Sequence, residues 1–155
     1  MPKQERSYWL MKSEPEAYSI DDLEKDKVTL WDGIRNYQAR NFMRRMTVGD
    51  KAFFYHSNCK PPGIIGLMAV TNKDIIDPTQ FDKNSKYFDS KSKDSNPSWD
   101  CVEVKFIQKF QRLISLPELK STFNEEELLV VKKGNRLSIM PVRERIAKIL
   151  LSEIQ

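Results

Sequence analysis

Two cysteines, one histidine and five glycines are all that this chain of 155 residues holds of the residue types that build disulfide frameworks, metal centres and phosphate-cradling loops. Cys59 and Cys101 lie far apart with no CxxC, so reduced thiols are expected rather than a disulfide scaffold or a zinc site. His56 stands alone and cannot assemble a metal site by itself. No stretch approaches the roughly 18 uninterrupted apolar residues of a membrane helix, and the opening MPKQERSYWL carries no apolar signal core. A soluble, intracellular protein without a membrane partner is expected. A Gly-rich phosphate loop, a dinucleotide fingerprint, HExxH and GxSxG are also missing, so no positive signature of an enzyme is present.

What is abundant is charge of both signs. Lys and Arg outnumber Asp and Glu by 26 to 22, giving a net charge of +4 and a pI near 9.0. So mild an excess permits a nucleic-acid partner without specifying one. With 39% hydrophobic residues, the length fits one domain over residues 1–155, burying about two-thirds of the surface of its unfolded chain.

Tyr8 to Met11 reads as a short buried strand, and Ser19 with Asp22 as a capping box opening a brief helix anchored by Leu23. From Tyr37 onward Ala39, Phe42, Met43 and Met46 recur at the spacing of a buried helical stripe, leaving Gln38, Arg40, Asn41, Arg44 and Arg45 outward. Lys51 to His56 and Ile64 to Val70 read as paired central strands joined through Pro61-Pro62-Gly63, with Gly66 allowing close backbone approach. Residues 77–98, rich in Asp, Lys and Ser, form an expected surface flap; Tyr87 and Phe88 within it suit either an anchored lid or ordinary packing. Trp99 to Ile107 alternates as a strand. Helices are expected at 116–121 and 125–131, a strand at 137–140, and a final helix beginning at Pro141 with Val142, Ile146, Ile149 and Leu150 inward.

Polar residues gather where these strands end. Lys12-Ser13-Glu14-Pro15 leaves the first strand, Trp31-Asp32-Gly33 makes a sharp turn before the Arg-rich helix, and His56-Ser57-Asn58 ends another strand. Three polar strand ends beside one tryptophan suggest a pocket for a planar base. Each has a plainer reading: a Lys12–Glu14 surface pair, Trp31 buried in the core, His56 as a satisfied structural residue, and the arginines as a solvated helix face. A Ser13–Lys12 nucleophile pair is disfavoured because adjacent strand residues point to opposite faces.

Taken together, YWLMKSEP, WDGIRNYQARNFM, YHSN, PPGIIGLMAV, YFDSKS and RLSIMPV resemble the EVE domain family, from Tyr8 nearly to the end of the chain. The resemblance implies an α+β, PUA-like fold: a small, mixed, partly closed β-barrel surrounded by helices, in a superfamily with ASCH and YTH domains. It implies a non-enzymatic reader of modified bases, principally modified cytosine in DNA, with no cofactor. YTH relatives hold methylated adenine in RNA, so the expected partner is DNA or RNA bearing a modified base. Such a reader is expected to be a monomer, cytoplasmic in a bacterium or nuclear in a eukaryote. By motif position, the base pocket comprises Lys12, Ser13, Glu14, Trp31, Asp32, Asn36, His56, Ser57, Arg136 and Ser138. Arg35, Arg40, Arg44 and Arg45 are the candidates for the nucleic-acid backbone. Asp32 and Glu14 depart from the methyladenine readers, which often carry a small hydroxyl and an amide residue there. As carboxylates they can accept hydrogen bonds from an exocyclic amine. Two other uses of the pocket stay open: a nucleic-acid-processing enzyme with Lys12 or His56 as acid/base, and a sensor of free modified nucleosides.

Overall fold

Ala52, Phe53, Phe54 and Tyr55 are all buried in one strand, which requires packed material on both faces of a sheet. The computed structural model, which describes residues 7–153, supplies both layers. Its strands are β1 (Tyr8–Ser13), β2 (Val28–Leu30), β3 (Lys51–His56), β4 (Gly63–Ile76), β5 (Asp100–Ser115) and β6 (Ile139–Val142). Its helices are α1 (Ile20–Asp26), α2 (Tyr37–Arg45), α3 (Leu116–Thr122) and α4 (Glu144–Glu153), with short 3₁₀ turns at Pro78–Phe81 and Leu129–Val131.

The strands form one six-stranded mixed sheet in the order β2-β5-β4-β3-β1-β6. β1 runs parallel to β3, and the other pairings are antiparallel. The pairing ends at β2 and β6 without closing. Period-two alternation divides the apolar residues between the faces. Leu10, Phe53, Tyr55, Met140 and Val142 meet Leu119 of α3 and Ile146, Ala147 and Leu150 of α4. Trp9, Met11, Ala52, Phe54 and Ile139 meet Ile20 and Leu23 of α1, Ala39 and Met43 of α2, and Trp31. Bulges interrupt the β3–β4 and β4–β5 ladders and bend the long strands.

Local signals act where expected. Ser19 accepts from the Asp22 N–H at 3.1 Å while Asp22 accepts from the Ser19 N–H at 2.8 Å, and Lys27 ends α1 at φ 73°. A Cβ on Gly66 would lie 2.4 Å from the Ile20 side chain and 2.9 Å from the Gln108 carbonyl, so only glycine lets these layers close. β3 keeps its expected bounds, whereas β1, β4, β5 and β6 run past their expected ends and β2 adds a short edge strand.

Two expectations near the C-terminus are corrected. Residues 125–131 hold only a turn and a 3₁₀ segment, because Leu128, Val130 and Val131 are all buried and cannot share one helical stripe. Pro141 lies inside β6, opposite Trp9, and the last helix begins later, at Glu144. β6 is an edge strand, where a residue without an N–H is tolerated. Val142 therefore packs from the strand, while Ile146 and Leu150 carry the helix's inward stripe.

Candidate functional site

Strand β2 and the loop after it carry the chain across the end of the sheet. The Trp31 N–H donates to the Val102 carbonyl at 2.8 Å, which extends the β2–β5 ladder by one residue. Gly33 then turns at φ 80°, and Asn36 caps α2 by accepting from the Ala39 N–H at 2.9 Å. Along this path a cavity of about 760 Å³ opens. That lies within the roughly 300 to 1,000 Å³ typical of ligand sites.

Its lining comes from five separate stretches of chain. The end of β1 contributes Lys12, Ser13 and Glu14; the β2–α2 loop contributes Trp31, Asp32, Arg35 and Asn36; Ser57 follows β3; Lys86 and Tyr87 come from residues 77–98; Arg136 and Ser138 precede β6. The parallel pairing of β1 with β3 sets Ser13 opposite His56, so both strand ends reach the same place.

His56 does not line this cavity. Its Nε2 accepts from the Ile20 N–H at 3.1 Å, and its ring meets Phe54 edge-on. The acceptor role requires the ring proton on Nδ1. Burial holds its pKa below 6.5, with Asp21 opposing that shift.

Trp31 is only 6% exposed, so the indole is set into the core and lines the cavity instead of standing free. Phe54 packs against it edge-to-face at 5.4 Å between centroids. Ser13 donates its hydroxyl to the Tyr18 carbonyl at 2.6 Å and accepts at its own carbonyl from the Ser57 N–H at 3.0 Å. Glu14 accepts from Asn58 Nδ2 at 3.2 Å, and no Lys12–Glu14 ion pair forms among the described residues. Lys12 instead lies 5.6 Å from the centre of the Tyr55 ring, and burial lowers its pKa. Asp32 has a pKa raised first by desolvation and then by Asp77, with Arg35 opposing.

Three of the four arginines expected to grip a nucleic-acid backbone are engaged by the protein itself. Arg35 donates to Asp77 at 3.1 Å, to the Tyr87 carbonyl at 2.9 Å and to Thr79 Oγ1 at 3.0 Å. Arg40 donates to the Ser98 carbonyl at 2.7 Å and stacks over Tyr37 at 4.6 Å. Arg44 pairs with Asp100 at 3.0 Å. Arg45, over the Phe42 ring at 5.9 Å, has no polar partner among the described residues. The cause is long-range: carboxylates and carbonyls of residues 77–100 return to the β2–α2 loop and to α2.

Asp77 escaped the reading of the sequence, and Tyr87 entered it only as part of an aromatic pair within the expected flap. Asp77, fully buried, accepts from the Gly33 N–H at 2.8 Å as well as from Arg35, tying the Trp31 loop to residues 77–98. Tyr87 packs its ring on Gly33 so tightly that a Cβ there would lie 2.7 Å away. Buried Gln80 braces the same segment, donating to the Asp77 and Trp99 carbonyls. An aromatic pair in a polar run was the only local sign of this anchoring. Cys59 and Cys101 are free, and no metal-binding cluster of His, Cys, Asp or Glu occurs among the described residues.

Comparison with known proteins places this geometry in context. The model of the EVE domain matches residues 7–153. Thymocyte nuclear protein 1 of Homo sapiens is 44% identical over 164 residues, spanning 94% of this chain and 73% of that protein. A crystal structure of a protein from Pseudomonas syringae agrees at a TM-score of 0.92 and 42% identity, over 96% of this chain and 99% of that one. The crystal structure of human THYN1 protein in complex with 5-methylcytosine containing DNA agrees at a TM-score of 0.89 and 44% identity, over 96% and 98% of the two chains.

Proposed function

The chain belongs to the EVE domain family, and on that premise we propose that it binds DNA and reads a modified cytosine, 5-methylcytosine first among them, in the cavity beside Trp31. The observation that carries the proposal is the convergence of Lys12, Glu14, Trp31, Asp32, Tyr87 and Arg136 on one cavity of base-binding size. The same fold occurs in a human relative solved with 5-methylcytosine DNA. The reading is of a monomer, acting in the bacterial cytoplasm or the eukaryotic nucleus, whose bent strands curl the sheet towards a partly closed barrel.

The base is extruded from the stack and enters the cavity against Trp31 and Tyr87. Stacking contributes about 1 to 3 kcal/mol, similar to the few kcal/mol lost on unstacking, so phosphate contacts must supply much of the affinity. Burying one methyl contributes about 0.8 kcal/mol, a preference of roughly fourfold. Stronger discrimination needs edge recognition. Glu14 and Asp32 are the acceptors for the exocyclic amine of cytosine, and Lys12, Asn36 and Arg136 are the donors.

No chemistry on the base is part of this reading. The Ser13 hydroxyl is donated to a carbonyl, and His56 faces Ile20 rather than the cavity. The test is a panel of matched single- and double-stranded DNA and RNA oligonucleotides bearing unmodified, 5-methylated and otherwise modified cytosine or methylated adenine. Tightest binding to the 5-methylcytosine DNA, with substrate mass unchanged after incubation, is expected. Equal affinity across the panel refutes the reading, and a shifted product mass refutes its non-enzymatic part.

A further inference from the structure

A second cavity of about 360 Å³ adjoins the first, sharing Asn36 and Arg136 with it. It is lined by Lys132 and Lys133 and by no carboxylate. Lys132, Lys133 and Arg136 are all exposed. No carboxylate lies within 4.0 Å of any of the three among the described residues. Of the α2 arginines, Arg44 is neutralised by Asp100 and Arg40 is held by the Ser98 carbonyl, while Lys132, Lys133 and Arg136 are left without a counter-ion at the edge of the base cavity.

The loop that carries them is held from inside. Asn135 donates from Nδ2 to the Leu129 carbonyl at 2.9 Å, accepts at Oδ1 from the Leu137 N–H at 2.9 Å, and closes a turn through its own N–H to the Lys132 carbonyl at 3.1 Å. Gly134 adopts φ 77°, and a Cβ there would meet no atom within 4 Å, so the tip is open to an approaching chain. A braced loop loses little freedom when it takes up an anion.

We propose that this loop is the phosphate grip of the protein: Lys132 and Lys133 hold the phosphodiesters that flank the extruded nucleotide, and Arg136 spans the two cavities between phosphate and base edge. The proposal rests on the DNA-reading function above. It divides labour by charge, with Glu14 and Asp32 in the first cavity facing amine donors of the base and the carboxylate-free second cavity facing the backbone. Phosphate contacts fix register without reading sequence, so the two cavities act as separable determinants of position and identity.

The experiment measures the affinity of the full chain for a duplex with one 5-methylcytosine, and for its unmodified twin, from 50 to 200 mM salt. It uses wild type, Lys132→Gln/Lys133→Gln, and the control Lys120→Gln/Lys148→Gln, which removes the same charge from α3 and α4, helices lining neither cavity. Each phosphate contact contributes about 0.9 to the logarithmic salt slope on duplex DNA, so the loop variant should be shallower by about 1.8. Its affinity should change about twelvefold less than wild type across this fourfold range of salt, while its preference for the methylated duplex is kept. The control should match wild type. A loop variant with the wild-type slope, or a control shifted equally, overturns the proposal while leaving the reader function standing. Wild-type protein that shows no preference for the methylated duplex refutes the reader function itself, and the loop's assignment falls with it.

Discussion

Replacing Asp77 by Asn should loosen the candidate site and destabilise the whole domain, because four donors converge on this one carboxylate. Oδ2 accepts from the Gly33 N–H at 2.8 Å and Arg35 Nη1 at 3.1 Å, while Oδ1 accepts from the Thr79 N–H at 2.8 Å and Thr79 Oγ1 at 2.6 Å. An amide keeps one acceptor oxygen and turns an NH₂ towards the remaining donors. Removing one member of a buried ion pair costs about 3 to 5 kcal/mol, and a hydrogen bond to a charged group contributes about 1.5 to 3 kcal/mol. The Asp77 side chain is 1% exposed but that of Arg35 is 22% exposed, so water partly satisfies the guanidinium that is left behind. The expected loss is therefore about 2 to 4 kcal/mol, below the fully buried limit. For a domain of this size that corresponds to a fall in Tm of about 4 to 16 °C. Thermal melts and urea titrations on wild type, Asp77→Asn, Arg35→Leu and the double variant would measure both the loss and the coupling, expected at about 1 to 3 kcal/mol. Below its melting point the Asp77→Asn protein should also lose discrimination of 5-methylcytosine, since Gly33 and Tyr87 are no longer tied together. A fall in Tm under about 2 °C with discrimination intact would refute the organising role assigned to Asp77.

Gly33→Ala places a methyl 2.7 Å from the Tyr87 ring on a backbone at φ 80°. It should cost about 1 to 2 kcal/mol of stability for the left-handed backbone alone and displace Tyr87, measurable as a lower Tm and weaker binding of the methylated base. Asp32→Asn should separate stability from recognition. The folded pKa of Asp32 lies above its ordinary 3.8, so its charge opposes folding at neutral pH; the variant should melt higher at pH 7, and that gain should vanish as pH falls below 3.8. The same variant should discriminate modified cytosine less well, and a lower Tm at pH 7 would contradict the sign. His56 has a folded pKa below 6.5, so its contribution is present above pH 6.5 and lost as pH falls through the folded value, when protonated Nε2 can no longer accept from Ile20. An NMR titration midpoint below 6.5, with loss of Ile20 amide protection on the acid side, is the expected result. Trp31→Ala should lose about 3 to 5 kcal/mol as a core truncation, so denaturation must be measured beside binding before stacking is inferred.

The elements that proved legible depend on neighbours within four residues or on strict alternation. Ser19 with Asp22 forms its capping box, Ala39 and Met43 face inward from α2, and the AFFY run of β3 is buried on both faces. The strand-end segments were also legible as a group, because Pro15 and the turns at Gly33 and Ser57 stop regular pairing where polar side chains follow. Nine of the ten expected base-pocket residues line the cavity, the exception being His56. What local patterns left open turned on partners distant in sequence. His56 finds its donor 36 residues away, and Arg35 finds Asp77 at a separation of 42. Pro141 suits the first turn of a helix by local propensity, yet its place at a sheet edge decided otherwise.

Local sequence thus determined the capped and strictly periodic segments, which faces they bury and where polar residues accumulate, since caps, turns and periodicity are short-range physics. Tertiary structure alone decided which charges remain free. An arginine on an exposed stripe is available to a ligand only if no carboxylate returns from elsewhere to meet it. Asp77 and Asp100 do return to Arg35 and Arg44, and no carboxylate returns to Lys132, Lys133 or Arg136 among the described residues. That outcome depends on the path of the whole chain, because Coulomb attraction acts on distance in space and is indifferent to distance along the sequence.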